Sequence, residues 1–363
     1  MKVLIVNPIL YTNENRNIKK VNTIKDTMIY DLCLAFKKKG CDVTLAASDL
    51  YKPSENESYP FNIIWMRTRC TKLFPPHTLP YCPEVKKIAK SGNFDLIITS
   101  EVFSLNSLKL ALCTLKNLIV WQELGKHNRI FHGLASKFWY GIVAKIGFKK
   151  ALIVARSVQA REFISKYCKN VSDTIIDHGV NIEKFTPCRE KDNQFAISSQ
   201  LISRKHIEKS IEAFAKYLNK YDDSAKLYIM GDGDEKENLS KLAKDLGADK
   251  NIIFTGKLGH NELIEILKKS IAMLVYTEKD NNMVSIVESI ALATPVITTD
   301  IPYNASYIKA EKLGIVNNNW NENDLRKLAT SDEYINNCMN YRKYLPTEYK
   351  AEQFLKLFSG EKR

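Results

Sequence analysis

The 363-residue sequence has no Cys-x-x-Cys pair and no cluster of metal-ligating side chains. Its eight cysteines stand far apart, which indicates reduced thiols in a cytosolic protein rather than a disulfide framework. It also lacks a run of eighteen apolar residues and an apolar signal core at its start, so we expect neither a membrane-spanning helix nor a secretory leader. No repeat and no nucleic-acid-binding module is recognisable, so nucleic acid is not an expected partner. A chain of this length can bury two cores, which predicts two domains.

Acidic residues are scarce in the first half of the chain. Residues 1–186 hold 28 Lys+Arg and 15 Asp+Glu, a net charge of +13, whereas residues 187–363 hold 26 of each. A basic surface is common on soluble proteins. It also suits an anionic partner on this half, either a phospholipid surface or a lipid-diphosphate acceptor.

The first half alternates short apolar runs with amphipathic segments, which predicts an α/β fold with a parallel sheet covered by helices. Ligands of such folds lie beyond the carboxyl ends of the strands, which places Asn7, Glu101 and the segment 122–129 near a site. The predicted strands are Lys2–Val6, Asp42–Ala47, Ile63–Arg67, Asp95–Thr99, Leu118–Trp121, Ala151–Ala155 and Thr174–Ile176.

Residues 271–300 combine a buried strand, a polar loop, a helix and a second strand. Asp280 lies in the loop and Glu288 in the helix. Carboxylates accept hydrogen bonds from sugar hydroxyls, and the first amides of the helix, at Met283 and Val284, suit phosphate. A ligand with hydroxyls at both ends and a diphosphate between them would use the whole unit, and a nucleotide-sugar is such a ligand.

Two cations precede an earlier helix of the second half. Arg204 and Lys205 follow the predicted strand Phe195–Ser198 and lie just before Ile207, where an amphipathic helical pattern begins. Cations at the mouth of a strand-loop-helix unit are well placed to bind a diphosphate.

The stretch from Asp280 to Glu288 resembles the acidic signature of retaining glycosyltransferases of family 4, which is Glu, seven residues, Glu, with Gly-Phe-Gly after the first acid. This chain has Asp280 for the first Glu and Asn281-Asn282-Met283 for the glycine segment, whereas Glu288 matches. The family's Gly-Arg-Leu, three residues, Lys-Gly becomes Ser199-Gln200-Leu201, three residues, Lys205-His206, so Gln200 replaces an arginine. The resemblance covers residues 1–358 and is strongest over 174–300.

The resemblance implies the GT-B arrangement, two Rossmann-like domains facing a cleft, with a last helix that crosses back to the first domain. The acceptor domain is expected at 1–186 plus about 346–363, and the donor domain at 187–345. It implies transfer from a nucleotide-diphosphate sugar to a glycan or lipid-linked acceptor with retention, without cofactor or metal. The residues expected to act in catalysis are Lys205, Asp280, Glu123 and His127, and those expected to bind the donor are Arg204, Lys205, Gln200, Asn282, Met283, Val284 and Glu288.

The family's histidine after the fourth or fifth strand is not matched directly. Here the strand runs into Gln122-Glu123, and the nearest histidine is His127, for which a surface-loop role is an equal alternative. His178, near the domain boundary, is expected to be structural. Asp232-Gly233-Asp234 looks like the metal-binding Asp-x-Asp of other glycosyltransferases, but its place after a strand predicts a tight turn.

Residues 131–150 combine aromatic and apolar residues with four lysines and no acid, and Lys126 lies nearby. The interpretation we favour is a helix packed on the sheet with its lysines outward. The alternative is a helix that lies in an anionic membrane interface, which would make the protein peripheral on the inner face of the membrane.

Three other functions remain as alternatives: a glycoside hydrolase, a catalytically weak or inactive nucleotide-sugar-binding subunit, and a nucleotide-sugar epimerase. A glycoside hydrolase works with two carboxylates, so the paired cations do not favour that function. The substitutions at 200, 280 and 283 favour the inactive subunit mildly. Surface polysaccharide or glycolipid synthesis is the expected process, because the basic half suits an anionic lipid carrier.

Overall fold

The computed structural model describes residues 1–11, 18, 20–113, 117–128, 133–280 and 282–360. The chain divides into two compact units, one of Met1–Gly179 with Thr347–Arg363 and one of Val180–Pro346. The boundary between the two units follows Gly179, whereas the sequence predicted it after residue 186. Val180 and Phe185 are buried in an apolar cluster of the second unit, and their packing therefore assigns this segment to that unit.

The first unit contains a six-stranded sheet in which all neighbours are parallel, with the order β3-β2-β1-β4-β5-β6. The expected strand at Thr174–Ile176 is not part of this sheet. That segment runs beside the last strand, where Ile176 N donates one hydrogen bond to Ala155 O at 3.0 Å. A single bond does not form the regular pairing of a strand. The strands are β1 (Lys2–Val6), β2 (Asp42–Ser48), β3 (Asn62–Met66), β4 (Leu96–Ser100), β5 (Leu118–Gln122) and β6 (Leu152–Ala155).

The second unit repeats this design with a parallel sheet of order β12-β11-β10-β7-β8-β9. Its strands are β7 (Gln194–Ser198), β8 (Lys226–Met230), β9 (Ile252–Gly256), β10 (Ala272–Leu274), β11 (Val296–Thr298) and β12 (Gly314–Val316). The predicted α/β class with two Rossmann-like sheets is thereby confirmed.

Alternate residues of each central strand enter different cores. In β1, Val3 and Ile5 belong to one buried cluster, and Leu4 and Val6 belong to another on the opposite face. A strand covered on both faces reads as a continuous apolar run, which is why these strands were visible in the sequence. In both sheets the strand order reverses beside the first strand of the unit, at β1/β4 and at β7/β10, and doubly wound sheets bind ligands at such a point.

Helices cover both sheets, and the last one packs within the first unit. It contacts α1 there, with the rings of Phe36 and Phe354 6.2 Å apart, so the expected return of the C-terminal helix is observed. Among the described residues, no helix combines the length and apolar character needed to cross a membrane. The helices are α1 (Met28–Lys38), α2 (Val85–Ser91), α3 (Leu105–Leu112), α4 (Leu134–Phe138), α5 (Lys145–Gly147), α6 (Val158–Ser165), α7 (Ile207–Lys220), α8 (Lys236–Asp245), α9 (His260–Lys269), α10 (Val284–Ala291), α11 (Asn304–Ala310), α12 (Glu322–Ala329), α13 (Glu333–Tyr341) and α14 (Thr347–Ser359).

Candidate functional site

Two connections meet at the point where the strand order of the second sheet reverses. The connection after β7 ends in a 3-10 turn, Ser203–Lys205, and leads into α7. The connection after β10 carries Asp280 and leads into α10. Since β7 and β10 are adjacent parallel strands, both connections leave the same edge of the sheet and their side chains converge.

Asp280 joins the two connections through hydrogen bonds from three side chains. Lys205 Nζ donates to Oδ2 at 2.8 Å, Arg204 Nη1 donates to Oδ1 at 3.1 Å, and Thr277 Oγ1 donates to Oδ2 at 2.5 Å. The Lys205 and Asp280 side chains are 11% and 16% exposed. Burial by itself raises the pKa of Asp280, but the hydrogen bonds from Lys205 and Thr277 and the nearby guanidinium bring it below its ordinary value.

The contacts of Asp280 add a pairing that the sequence did not predict, and its role toward the donor sugar stays a prediction. The sequence assigned the two cations to a diphosphate and the acid to the donor sugar. In the structure the carboxylate is the ion partner of both cations. Any diphosphate that used Arg204 and Lys205 would therefore compete with Asp280 for them.

His206 holds the turn that carries the two cations. Its φ of +41° is left-handed, which explains why the family pattern has glycine at this position. The imidazole lies between two carboxylates, with Nδ1 2.7 Å from Glu208 Oε1 and Nε2 2.8 Å from Glu278 Oε1. The hydrogen bond to Glu208, together with the nearby carboxylate of Glu278, raises the pKa of His206.

The amides at the start of α10 are not equally available. Met283 N donates to Asn304 Oδ1 at 2.7 Å, and Asn304 Nδ2 donates back to Met283 O at 3.2 Å. Val284 is the first helical residue, so its amide has no partner within the helix. Both polar side-chain atoms of Asn282 are buried without a hydrogen-bond partner among the described residues, whereas Asn281 lies outside them.

Glu288 lies on α10, with a carboxylate that is 16% exposed. His260, at the start of α9, approaches it with Nε2 3.2 Å from Oε1. Gln200 is exposed just after β7. A narrow crevice in this unit is lined by Ser199, Lys205, Tyr276 and Met283, so the cationic turn and the start of α10 share one surface.

The remaining two predicted catalytic residues lie in the first unit, at the carboxyl ends of its strands. Glu123 follows β5 and accepts a hydrogen bond from Arg156 Nη1 at 2.8 Å. Burial opposes ionisation of Glu123, but Arg156 keeps its pKa below the ordinary value. Arg156 is buried, stacks 3.7 Å from the centroid of the Trp121 ring and lies 3.3 Å from His178 Nε2.

His178 is a neutral, buried part of this cluster. Burial and the neighbouring guanidinium of Arg156 lower its pKa to about 4. Its ring packs edge-on against Trp121 with centroids 5.4 Å apart. These contacts agree with the structural role that the sequence indicated.

His127 has partners at both ring nitrogens. Nδ1 lies 3.0 Å from Ser136 Oγ, Nε2 lies 3.1 Å from Tyr167 Oη, and the ring packs edge-on against Phe163. Gln122, the last residue of β5, is buried, accepts a hydrogen bond from Val102 N and donates from Nε2 to Leu124 O at 2.9 Å. In this structure neither side chain offers a nitrogen that is unengaged.

Sequence reasoning noted Glu101 without assigning it a role. It directly follows β4 with a φ of +66°, a strained conformation for a glutamate, and accepts hydrogen bonds from Glu123 N at 2.7 Å and Leu124 N at 3.4 Å. Burial raises its pKa to about 7. Arg156 and Asn304 were not singled out at all, because an arginine after a strand and an asparagine at a helix start carry no local signal of burial.

Within the described part of the chain, no three His, Cys, Asp or Glu side chains are grouped to hold a metal ion. Asp232-Gly233-Asp234 forms a turn, in which Gly233 has a φ of +158° and Gly233 N donates to Asp232 Oδ1 at 3.0 Å. A Cβ at Gly233 would lie 2.3 Å from Leu201 O, so close packing against the preceding connection requires glycine there.

Solved structures with the same architecture are glycosyltransferases of the GT-B class. A glycosyltransferase from Rickettsia africae matches with a TM-score of 0.67 at 15% identity, over 99% of this chain and 98% of that one. HepE of Anabaena, solved with UDP and glucose, matches with a TM-score of 0.63 at 10% identity, over 99% of both chains. The fold of this chain is therefore GT-B.

The model of the family "Glycosyl transferases group 1" matches residues 181–341. The match lies within the second unit and confirms, for this segment, the resemblance to glycosyltransferases drawn from the sequence. The chain is also 26% identical over 266 residues to alpha-monoglucosyldiacylglycerol synthase of Streptococcus pneumoniae, an alignment that covers 66% of this chain. That alignment spans 59% of the length of the relative.

Proposed function

We propose that this protein is a glycosyltransferase that moves a hexosyl group from a nucleotide-diphosphate sugar to a lipid-linked or glycan acceptor, with retention of anomeric configuration. The donor is proposed to bind the second unit at the β7/β10 edge. The observation that carries the proposal is the convergence of Arg204 and Lys205 beside the start of α10. The glycosyl transferases group 1 match over this same segment supports it.

The chemistry requires charge stabilisation more than proton transfer. Negative charge develops on the leaving diphosphate as its bond to the anomeric carbon breaks, and fixed cations and amides stabilise it. Arg204, Lys205 and the Val284 amide are proposed for that role. Glu288 is proposed to accept hydrogen bonds from the ribose, and Asp280 to contact the donor sugar once phosphate has taken over its cations.

The acceptor is proposed from the relatives and the charge of the first half. One relative is named for synthesis on diacylglycerol, and another, from Salmonella typhimurium, is named an O-antigen chain mannosyltransferase and is 28% identical over 46% of this chain and 47% of its own length. The +13 charge of residues 1–186 suits a lipid diphosphate or an anionic membrane surface. We therefore propose a cytoplasmic enzyme with peripheral membrane contact.

Calorimetric titration with nucleoside diphosphates and the matching monophosphates tests the donor site. We expect a diphosphate to bind, and Lys205→Ala and Arg204→Ala to weaken it at least tenfold, because each removes a charged hydrogen bond to phosphate. Lys209→Ala is the matched control, since this exposed lysine on α7 pairs with Glu212. Equal affinity in all variants, or no diphosphate binding by the natural sequence, would contradict the site.

A second titration separates the ribose contact from the phosphate contacts. Glu288→Gln should weaken binding of a nucleoside diphosphate and leave that of inorganic pyrophosphate unaffected, because pyrophosphate has no ribose hydroxyls to donate to the carboxylate. Equal losses of affinity for both ligands would mean that Glu288 has a structural role instead.

Sugar transfer is expected to persist in EDTA, because no metal ion is predicted to take part. Loss of activity in EDTA and its recovery on addition of manganese would contradict metal independence.

A nucleotide-sugar-binding subunit without turnover is the second candidate. It is favoured by the pairing of Asp280 with both cations and by the Met283 amide, which is already bonded to Asn304. Diphosphate binding without product, over a panel of donors and of lipid and glycan acceptors, would select this function.

A further inference from the structure

One face of the helical segment 134–147 is both apolar and exposed. Four large apolar side chains are spaced four residues apart along it and form what we call the apolar stripe: Leu134, Phe138, Ile142 and Ile146, which are 68%, 61%, 51% and 63% exposed. Soluble proteins expose single apolar side chains routinely, but a continuous row on one element marks an interaction surface.

The helix does not need the apolar stripe to stay in place. Its other face packs on the first unit through buried Ser136, Tyr140, Ala144 and Phe148. The expectation of a helix packed on the sheet with outward lysines therefore describes one face only. Phe131, which the sequence grouped with this helix, lies outside the described residues.

A π-helical turn, Trp139–Ala144, keeps the apolar stripe aligned. In an α-helix four residues turn through 400°, so positions spaced by four drift about 40° per step around the axis. A π-helical turn contains more residues, so each residue rotates less around the axis and the drift is partly reversed. The middle of the helix thus keeps Phe138 and Ile142 on the side of Leu134 and Ile146.

The apolar stripe is bordered by positive charge. Lys137, Lys145, Lys149 and Lys150 are exposed, and residues 133–150 contain no Asp or Glu. None of the four makes an ion pair within the part of the chain that the structure describes. Lysines beside an apolar helix face can extend their stems along it and hold their charges at the headgroups of a bilayer.

We propose that the apolar stripe and its lysines form the face by which the first unit docks on an anionic phospholipid bilayer. This deepens the proposed membrane contact by naming its surface, and it uses no residue of the donor site. The stripe would enter the boundary between headgroups and acyl chains, while the lysines would contact anionic headgroups.

A second copy of the chain is a poorer occupant of this surface. A symmetric interface would place the stripe of one copy against that of the other, and the bordering lysines would then face lysines. No acid between residues 133 and 150 could offset that repulsion. The charge complement of the surface is therefore anionic, as in a lipid leaflet.

Vesicle flotation of the full chain tests the proposal. We expect binding to phosphatidylcholine vesicles that contain about a third phosphatidylglycerol, little binding to pure phosphatidylcholine, and weaker binding at 500 mM than at 50 mM NaCl. Phe138→Ser with Ile142→Ser should lower partitioning at least tenfold, and Lys137→Ser with Lys145→Ser should remove the dependence on anionic lipid.

Matched controls keep the result specific. Leu73→Ser removes an equally exposed leucine from another segment of the first unit, and Lys241→Ser with Lys244→Ser removes two exposed lysines from α8 of the second unit. Both should float like the natural sequence. Absence of vesicle binding, equal losses in controls and stripe variants, or a change of oligomeric mass on Phe138→Ser in place of lost flotation would overturn the proposal. Nucleoside diphosphate binding, measured on the same samples, reports the donor site separately.

Discussion

At the scale of single residues, the candidate donor site depends on the charge of Asp280. Its single carboxylate pairs with both Arg204 and Lys205, the cations proposed to bind the diphosphate. Part-buried ion pairs of this kind are stronger than surface pairs, because less water screens them. A donor that binds as proposed would therefore replace one set of charged hydrogen bonds by another.

Asp280→Asn should separate the two roles of this side chain. Removing its charge releases the cations, so we expect the affinity for a nucleoside diphosphate to rise by about two- to tenfold in calorimetric titration. Turnover of the nucleotide-sugar should fall, because the acid proposed to contact the sugar is lost. A lower affinity for the diphosphate itself would show that Asp280 helps to assemble the cationic turn rather than compete for it.

Glu101 is a second residue whose charge state matters. Its pKa is raised to about 7 by burial, above its ordinary value of 4.5, so the folded protein keeps this proton when the unfolded chain has lost it. The contribution of Glu101 to the free energy of unfolding therefore falls as the pH rises from about 4.5 to 7, and changes little above that range.

Glu101→Gln should flatten this part of the stability profile. The glutamine cannot ionise, and its carbonyl oxygen can still accept the 2.7 Å hydrogen bond from Glu123 N, although the longer bond from Leu124 N is lost. We expect urea unfolding between pH 5 and pH 7.5 to show a smaller loss of stability in the variant than in the natural sequence. Parallel profiles would mean that the Glu101 carboxyl titrates near its ordinary pKa.

At the scale of secondary-structure elements, the turn after β8 holds the connection that leads to the cations. Gly231 has a φ of +152°, and a Cβ there would lie 1.8 Å from Ser199 O. A side chain at position 231 would therefore force the backbone at Ser199 or at Gly231 to shift. The path from β7 to the 3-10 turn is therefore fixed by a residue that lies outside it.

Gly231→Ala should destabilise the second unit by about 2–4 kcal/mol, as backbone strain and overpacking combine. Gly247→Ala is the matched control: its φ is +68°, but its Cβ would meet no atom within 4 Å, so only the conformational cost of about 1 kcal/mol applies. Urea denaturation of both variants gives the comparison. A cost for Gly231→Ala no larger than the control would mean that the Ser199 segment adapts.

At the scale of the whole molecule, the first unit is built from both ends of the chain. α14 contributes Ala351, Phe354 and Leu357 to a core that otherwise consists of residues from the first half. Lys38 at the end of α1 and Lys39 just after it pair with Glu348 and Glu352 of α14, at 2.9 Å each. The first unit is therefore complete only after the last helix has been made.

Phe354→Ala should destabilise the first unit by about 3–5 kcal/mol, because it empties a fully buried site beside Trp121. Phe358→Ala, on the same helix but 40% exposed, should change stability little. Tryptophan fluorescence in a Trp320→Phe background follows urea unfolding of the first unit, which holds the three remaining tryptophans, and nucleoside diphosphate binding follows the second unit. Loss of diphosphate binding in Phe354→Ala at low urea would contradict the independence of the donor site from α14.

The pattern of the sequence was enough to predict the α/β class and the first parallel sheet, and the family resemblance added the second sheet and the candidate donor-site residues. Buried strands read as apolar runs, and Lys205, Asp280 and Glu288 stand in a recognisable spacing. The tertiary structure alone decided which of these groups meet. The order β7-β10 joins Asp280 to two cations from 75 and 76 residues earlier in the chain, and Asn304 takes the Met283 amide. The tertiary structure also decided which face of segment 134–147 is exposed. Both faces of this segment are apolar, so only the packing shows which one is buried. Local pattern records what a segment can bury, whereas long-range contacts decide what it does bury.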